Sequence, residues 1–86
     1  IMTNLYSRCP TLDLHGFDRD YARIMINDFI RDCYIMKERN VVIIHGIGSG
    51  VLRKTTKQTL QTNSYVEEAK LDIFNDGQTI VRLKEH

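Results

Sequence analysis

What the 86-residue chain lacks narrows it first. Its two cysteines, Cys9 and Cys33, are too few for a disulfide framework and form no C-x-x-C pair, so they read as reduced thiols of a cytoplasmic protein. No apolar run is longer than that of Val41–Ile44, far short of the roughly 18 residues that a membrane span needs. No signal-peptide pattern is present either, so no membrane partner is expected. Charge of one sign is also missing: 12 Lys and Arg stand against 11 Asp and Glu, for a net charge of +1. An anionic polymer would then have to meet positive charge gathered on one face. Arg53, Lys54 and Lys57 do lie close together, while Glu67, Glu68, Asp72 and Asp76 come later. Repeats, linkers and low-complexity stretches are absent. The remaining composition, 42% hydrophobic and 27% charged, is that of an ordinary globular domain. The length suits one small domain near the lower limit for a single core.

The hydrophobic pattern predicts six elements. Thr11 to Leu14 reads as a short strand, with Pro10 tolerated at its edge. Asp18 is placed to cap a helix running to about Arg39, whose apolar positions Ala22, Met25, Ile26, Phe29, Ile30, Cys33 and Met36 follow spacings of three and four. Val41–Ile44 is a β-branched run expected of a central strand. A second helix, threonine-rich and capped by Ser49 or Gly50, reaches about Thr62. Tyr65 to Phe74 and Thr79 to Leu83 read as strands joined at Asn75-Asp76-Gly77, a favoured hairpin turn. The order β-α-β-α-β-β implies an α/β fold, a two-layer sandwich of two helices on a four-stranded mixed sheet.

The chemistry concentrates in two His-Gly dipeptides, each where a predicted strand runs out. Asp13 and His15 alternate on one strand and so emerge on one face. A carboxylate beside an imidazole can orient the ring for proton transfer to or from a phosphate ester. The other reading is that Asp13 caps a turn and His15 is structural. The second dipeptide, His45-Gly46, opens the loop Gly46-Ile47-Gly48-Ser49-Gly50, followed at once by Val51-Leu52-Arg53-Lys54. Glycines there let backbone amides close on an anion, and the helix N-terminus favours phosphate. Arg53 can clamp a phosphate with its planar fork, and Lys54 and Lys57 can hold the backbone without regard to sequence. A plain structural turn and a solvated helix face are the competing readings. The loop has neither the Gly-Lys-Ser/Thr of a P-loop nor the acidic residue of a dinucleotide site, and no cofactor is expected. His15, His45 and Asp13 are the right types for a zinc or manganese site. Only one carboxylate stands near the motifs, so no metal is expected.

Leu12-Asp13-Leu14-His15-Gly16, followed by His45-Gly46-Ile47-Gly48-Ser49-Gly50-Val51-Leu52-Arg53, resembles the Smr (small MutS-related) domain. The signatures of that family are an LDLHG-type motif and an HGxGxG-x-LR motif separated by a helix. The resemblance spans residues 11 to 84. Residues 10–86 are then the domain, after a lead-in over 1–9, and the opening Ile1-Met2 reads either as the start of a domain excised from a larger chain or as a cloning scar. Near the end, Asn75-Asp76-Gly77-Gln78-Thr79-Ile80-Val81 keeps part of the family's small-residue start to its last strand. The resemblance implies a two-layer α/β fold related to the C-terminal domain of a bacterial translation initiation factor. It also implies nucleic-acid binding and, in many members, endonuclease activity on DNA or RNA. Such domains end MutS2 proteins, stand alone, or act on mRNA at stalled ribosomes, which makes the ribosome a further candidate partner.

These readings converge on a metal-independent endonuclease that cuts RNA or nicks DNA. Asp13, His15 and His45 are its candidate catalytic residues. Gly46, Gly48, Ser49, Gly50, Arg53, Lys54 and Lys57 are its candidate phosphate contacts. The two histidines and the loop amides are expected to line one shallow basic depression. The alternative is a non-catalytic module that uses the same loop to dock on nucleic acid or the ribosome.

Overall fold

In the computed structural model, which describes residues 9–85, the elements run β1 (Thr11–Asp13), α1 (Arg19–Ile35), β2 (Asn40–Ile44), α2 (Val51–Gln61), β3 (Val66–Asp72) and β4 (Asn75–Leu83). The expected lead-in over 1–9 lies outside the described residues except for Cys9. The four strands form one mixed sheet in the order β1-β2-β4-β3. β1 pairs with β2 in parallel, and β4 is antiparallel to both β2 and β3. This is the expected order of elements and the expected sheet.

Burial explains why each element forms where it does. Ala22, Ile26, Ile30 and Cys33 make the buried stripe of α1. They meet Leu14, Val41, Ile43, Val81 and Leu83, all fully buried, so the core lies between the helices and one face of the sheet. The α2 helix contributes Leu60 and, unusually, the threonines Thr55, Thr56 and Thr59. At the N-terminus of α1, Asp18 accepts a hydrogen bond from the Tyr21 amide at 2.8 Å, which is the expected cap. No described helix is long and apolar enough to cross a membrane. Both cysteines are free. Burial, with Glu38 and Asp32 nearby, raises the Cys33 thiol to about 11.

Two boundaries differ from expectation. The first is the end of α1, which stops at Ile35 rather than Arg39. Lys37 takes a left-handed conformation (φ 65°). Its amide donates to the Tyr34 carbonyl and that of Glu38 to the Cys33 carbonyl, both at 3.0 Å. This is a Schellman closure with lysine where glycine is usual.

The second is the hairpin. It turns at Ile73-Phe74, between the paired residues Asp72 and Asn75, not at Asn75-Asp76-Gly77. That tripeptide belongs to β4, where the pairing register with β3 shifts. The Gly77 carbonyl accepts from the amides of His45 at 2.9 Å and Gly46 at 2.8 Å. A Cβ on Gly77 would stand 3.1 Å from Asn75 Oδ1 and 3.6 Å from the Gly46 Cα. The glycine therefore serves a close approach between two chain segments, a use indistinguishable in sequence from a reversal.

Candidate functional site

The parallel register Asp13↔Ile44 brings the ends of β1 and β2 side by side. The Leu14 amide continues the ladder to the Ile44 carbonyl at 2.8 Å. The two His-Gly dipeptides therefore leave the sheet next to each other, and both glycines have positive φ (Gly16 82°, Gly46 76°). Beyond that point the histidines differ. His15 is exposed, and Asp13 Oδ1 accepts from its backbone amide at 2.9 Å. The carboxylate thus caps the turn, as the competing reading had it, and no hydrogen bond joins it to the imidazole.

His45 is buried, with 7% of its surface exposed. Its Nδ1 lies 2.9 Å from the Gly46 carbonyl and its Nε2 2.9 Å from the Thr79 hydroxyl. A carbonyl only accepts, so Nδ1 carries the proton. In the neutral ring, Nε2 then accepts from Thr79. Both nitrogens are occupied, and the ring ties the start of the glycine loop to β4. Among the described residues no three His, Cys, Asp or Glu side chains gather as a metal-holding group.

The loop after His45 follows its glycines unevenly. Gly46 and Gly50 (φ 84°) need the left-handed region, whereas Gly48 does not. Gly50 is the N-cap of α2 and supplies no side-chain bond. Ser49 Oγ lies 3.4 Å from the Val51 amide, too long to satisfy it well. The first turn of α2 thus presents amides without a strong internal acceptor, the condition under which a helix start holds an anion.

A groove of about 720 Å³ runs from Gly50 along α2 and β3 to Gln61. Leu60, Val66, Ala69, Leu71 and Thr79 contribute its apolar part, and Arg53, Lys54 and Lys57 line it from α2. Lys70 adds a fourth cation from the sheet. None of these four stands in an ion pair among the described residues, whereas Arg23, Arg31, Arg39 and Arg82 all pair with carboxylates of the chain itself. Glu67 and Glu68 at the far end are bound by Arg82 at 3.0 Å each, which leaves the glycine-loop end the more positive. The expected single depression is therefore divided. Gly50 and the basic trio line the groove, while His15, His45, Gly46, Gly48 and Ser49 lie outside its lining.

Sequence reasoning missed Lys70 and Leu71, because alternation on a solvent-exposed edge strand does not say which residues face a helix. It also placed Ile73 and Phe74 inside a strand, where the structure exposes them at the tip of the hairpin.

A family model described as the Smr domain matches residues 12–84. The chain is 32% identical over 82 residues to the endonuclease MutS2 of Clostridium kluyveri, covering 95% of this chain and 10% of that protein. To the endonuclease MutS2 of Caldanaerobacter subterraneus subsp. tengcongensis it is 38% identical over 77 residues, covering 86% of this chain and 10% of the relative. It therefore spans about a tenth of the length of these curated relatives. Among solved structures, the Smr domain of Thermus thermophilus MutS2 superposes with a TM-score of 0.84 at 22% identity, over 87% of this chain and 98% of that one. YdaL, a stand-alone small MutS-related protein from Escherichia coli, gives 0.82 at 24% identity, over 87% and 64%. At these identities the structural likeness is one of fold.

Proposed function

Because this chain belongs to the Smr domain family, we propose that it grips a nucleic-acid backbone along the α2–β3 groove and cuts a phosphodiester beside His15. The observation that carries this reading is the concentration of unpaired positive charge. Arg53, Lys54, Lys57 and Lys70 line one groove that opens at the glycine loop, on the sheet end where His15 is exposed. Phosphate contacts of this kind position a strand without reading its sequence.

In the scheme we favour, the substrate is RNA. The 2′-hydroxyl attacks phosphorus, the bond to the 5′-oxygen breaks, and the products are a 2′,3′-cyclic phosphate and a 5′-hydroxyl. The reaction needs no metal-bound water, only one proton removed from the nucleophile and one delivered to the leaving oxygen. His15 moves the proton. Asp13 fixes the backbone on which His15 sits and keeps Oδ2 free of partners among the described residues. Arg53 and the amides at Gly48, Ser49 and Gly50 stabilise charge on the phosphate. His45 has a positioning role, holding the loop through Gly46 and Thr79. Nicking of DNA uses the same contacts with water as nucleophile. The free thiols accord with a cytoplasmic protein, and a stalled ribosome is one place where such a domain would meet RNA.

A second reading, a module that binds without cutting, draws support from the Asp13 carboxylate being engaged by an amide rather than by the imidazole. One experiment separates the two. End-labelled RNA and DNA are incubated with the domain in excess chelator, wild type against His15→Ala. The catalytic reading expects cleavage by wild type and its loss in the variant, with binding retained. Binding without cleavage supports the docking module. Cleavage abolished by chelator and restored by manganese replaces the metal-free scheme.

A further inference from the structure

The hairpin between β3 and β4 reverses at Ile73-Phe74, two residues that turn chemistry disfavours. Two-residue reversals draw on glycine, asparagine and aspartate, yet here a β-branched residue and an aromatic stand 88% and 91% exposed. Nothing in the core requires them. The tip is nonetheless rigidly mounted. Asp72, itself buried, accepts from the Phe74 amide through Oδ1 at 2.9 Å and from the buried Gln78 side chain through Oδ2 at 2.8 Å. A buried carboxylate with both oxygens committed to one turn pre-organises whatever that turn presents.

The tip also sits at the functional end of the sheet. It lies three residues before Gly77, whose carbonyl binds the His45 and Gly46 amides. The groove's own apolar residue nearest the turn is Leu71. A stiffly held, solvent-facing aromatic three residues beyond Leu71, which lines the cationic groove, matches one occupant: an unpaired nucleobase whose phosphates lie on the cations. The cations that line the groove, Lys70 four residues before Phe74 among them, favour an anionic occupant of the groove.

Building on the reading that the groove holds a nucleic-acid backbone, we infer that Phe74 is a stacking platform for an unpaired base and makes the domain prefer single-stranded substrate. Ile73 packs against the sugar or the neighbouring base. Every base offers a π-face, so the contact adds affinity without sequence preference.

The chain has no tryptophan, so Phe74→Trp introduces a unique fluorophore at the contact. Affinity is measured by anisotropy for a labelled single-stranded oligonucleotide and for the corresponding duplex, across a salt series. Phe74→Ala is expected to weaken single-strand binding roughly 5- to 150-fold. It should leave duplex binding and the salt slope unchanged, because no phosphate contact is lost. Phe74→Leu should recover only part of the loss. The emission of Phe74→Trp should be quenched as the single strand binds. Unaltered affinity in Phe74→Ala, or an equal loss on duplex, overturns the inference while leaving groove binding intact. Failure of the wild-type protein to bind any oligonucleotide overturns both, and Phe74 is then a contact for another protein.

Discussion

At the scale of single residues, two side chains fix backbone at neighbouring strand ends: Asp13 holds the His15 amide, and His45 reaches the Gly46 carbonyl. The parallel register sets Asp13 beside Ile44, so the two His-Gly dipeptides leave adjacent strand ends, a placement that two strand ends and two glycines make legible in the sequence. What each side chain does was hidden, because alternation along a strand says nothing of hydrogen bonds in the turn that follows. Asp13 turned out to hold the His15 amide, and His45 to be walled in between Gly46 and Thr79. This geometry makes Asp13→Asn informative. Asparagine keeps an oxygen that can accept the amide, so the turn and the fold should survive, as circular dichroism and thermal melting would show. Loss of the charge should lower the cleavage rate by about 10²–10⁴-fold if Asp13 serves proton transfer at His15. Combined with His15→Ala, it should add little, since groups acting as one unit are not additive. A cleavage rate equal to wild type in Asp13→Asn would reduce the residue to a turn cap.

Among the elements, helix and strand identities followed from periodicity, and the boundaries failed where local chemistry was atypical. Asp18 was a readable cap. The far end of α1 was not, since its closure places lysine rather than glycine in the left-handed region. The Asn75-Asp76-Gly77 signal misled for the opposite reason, a favoured turn sequence spent on meeting the glycine loop. The first of these misreadings has a measurable counterpart. Lys37→Gly should relieve a left-handed strain worth about 1–2 kcal/mol, offset in part by the greater backbone entropy that glycine loses on folding. The net expectation is a domain more stable by roughly 0.5–1 kcal/mol, seen as a higher denaturation midpoint at unchanged m-value. A lower midpoint would mean that the Lys37 side chain contributes more than its backbone costs.

For the whole molecule, a net charge of +1 conceals an uneven surface, with Arg23, Arg31, Arg39 and Arg82 paired to carboxylates of the chain and, among the described residues, the groove's four cations in no ion pair. Sequence proximity of Arg53, Lys54 and Lys57 hinted at this, whereas the internal pairing could only be seen once folded. Replacing Arg53 and Lys54 by alanine should weaken binding to all sequences alike. It should also flatten the dependence of log K on log salt by about 0.7–0.9 for each true phosphate contact removed. An unchanged slope in a salt titration would move the binding face elsewhere. The order of strands has one more consequence, which concerns heat. β1 is only three residues long and stands at the rim of the sheet, bonded on one side alone, yet it carries Asp13 and leads into His15. Short rim segments fray at a fraction of the global unfolding free energy. If His15 carries the proposed chemistry, warming should therefore detach it while α2, anchored by Thr55, Thr56, Thr59 and Leu60, still keeps the groove in place to bind nucleic acid. Cleavage should fade several degrees below the temperature at which oligonucleotide is released, and hydrogen exchange at Leu14 should quicken over the same interval. The domain would then carry a built-in thermal fuse, becoming a clamp before it unfolds.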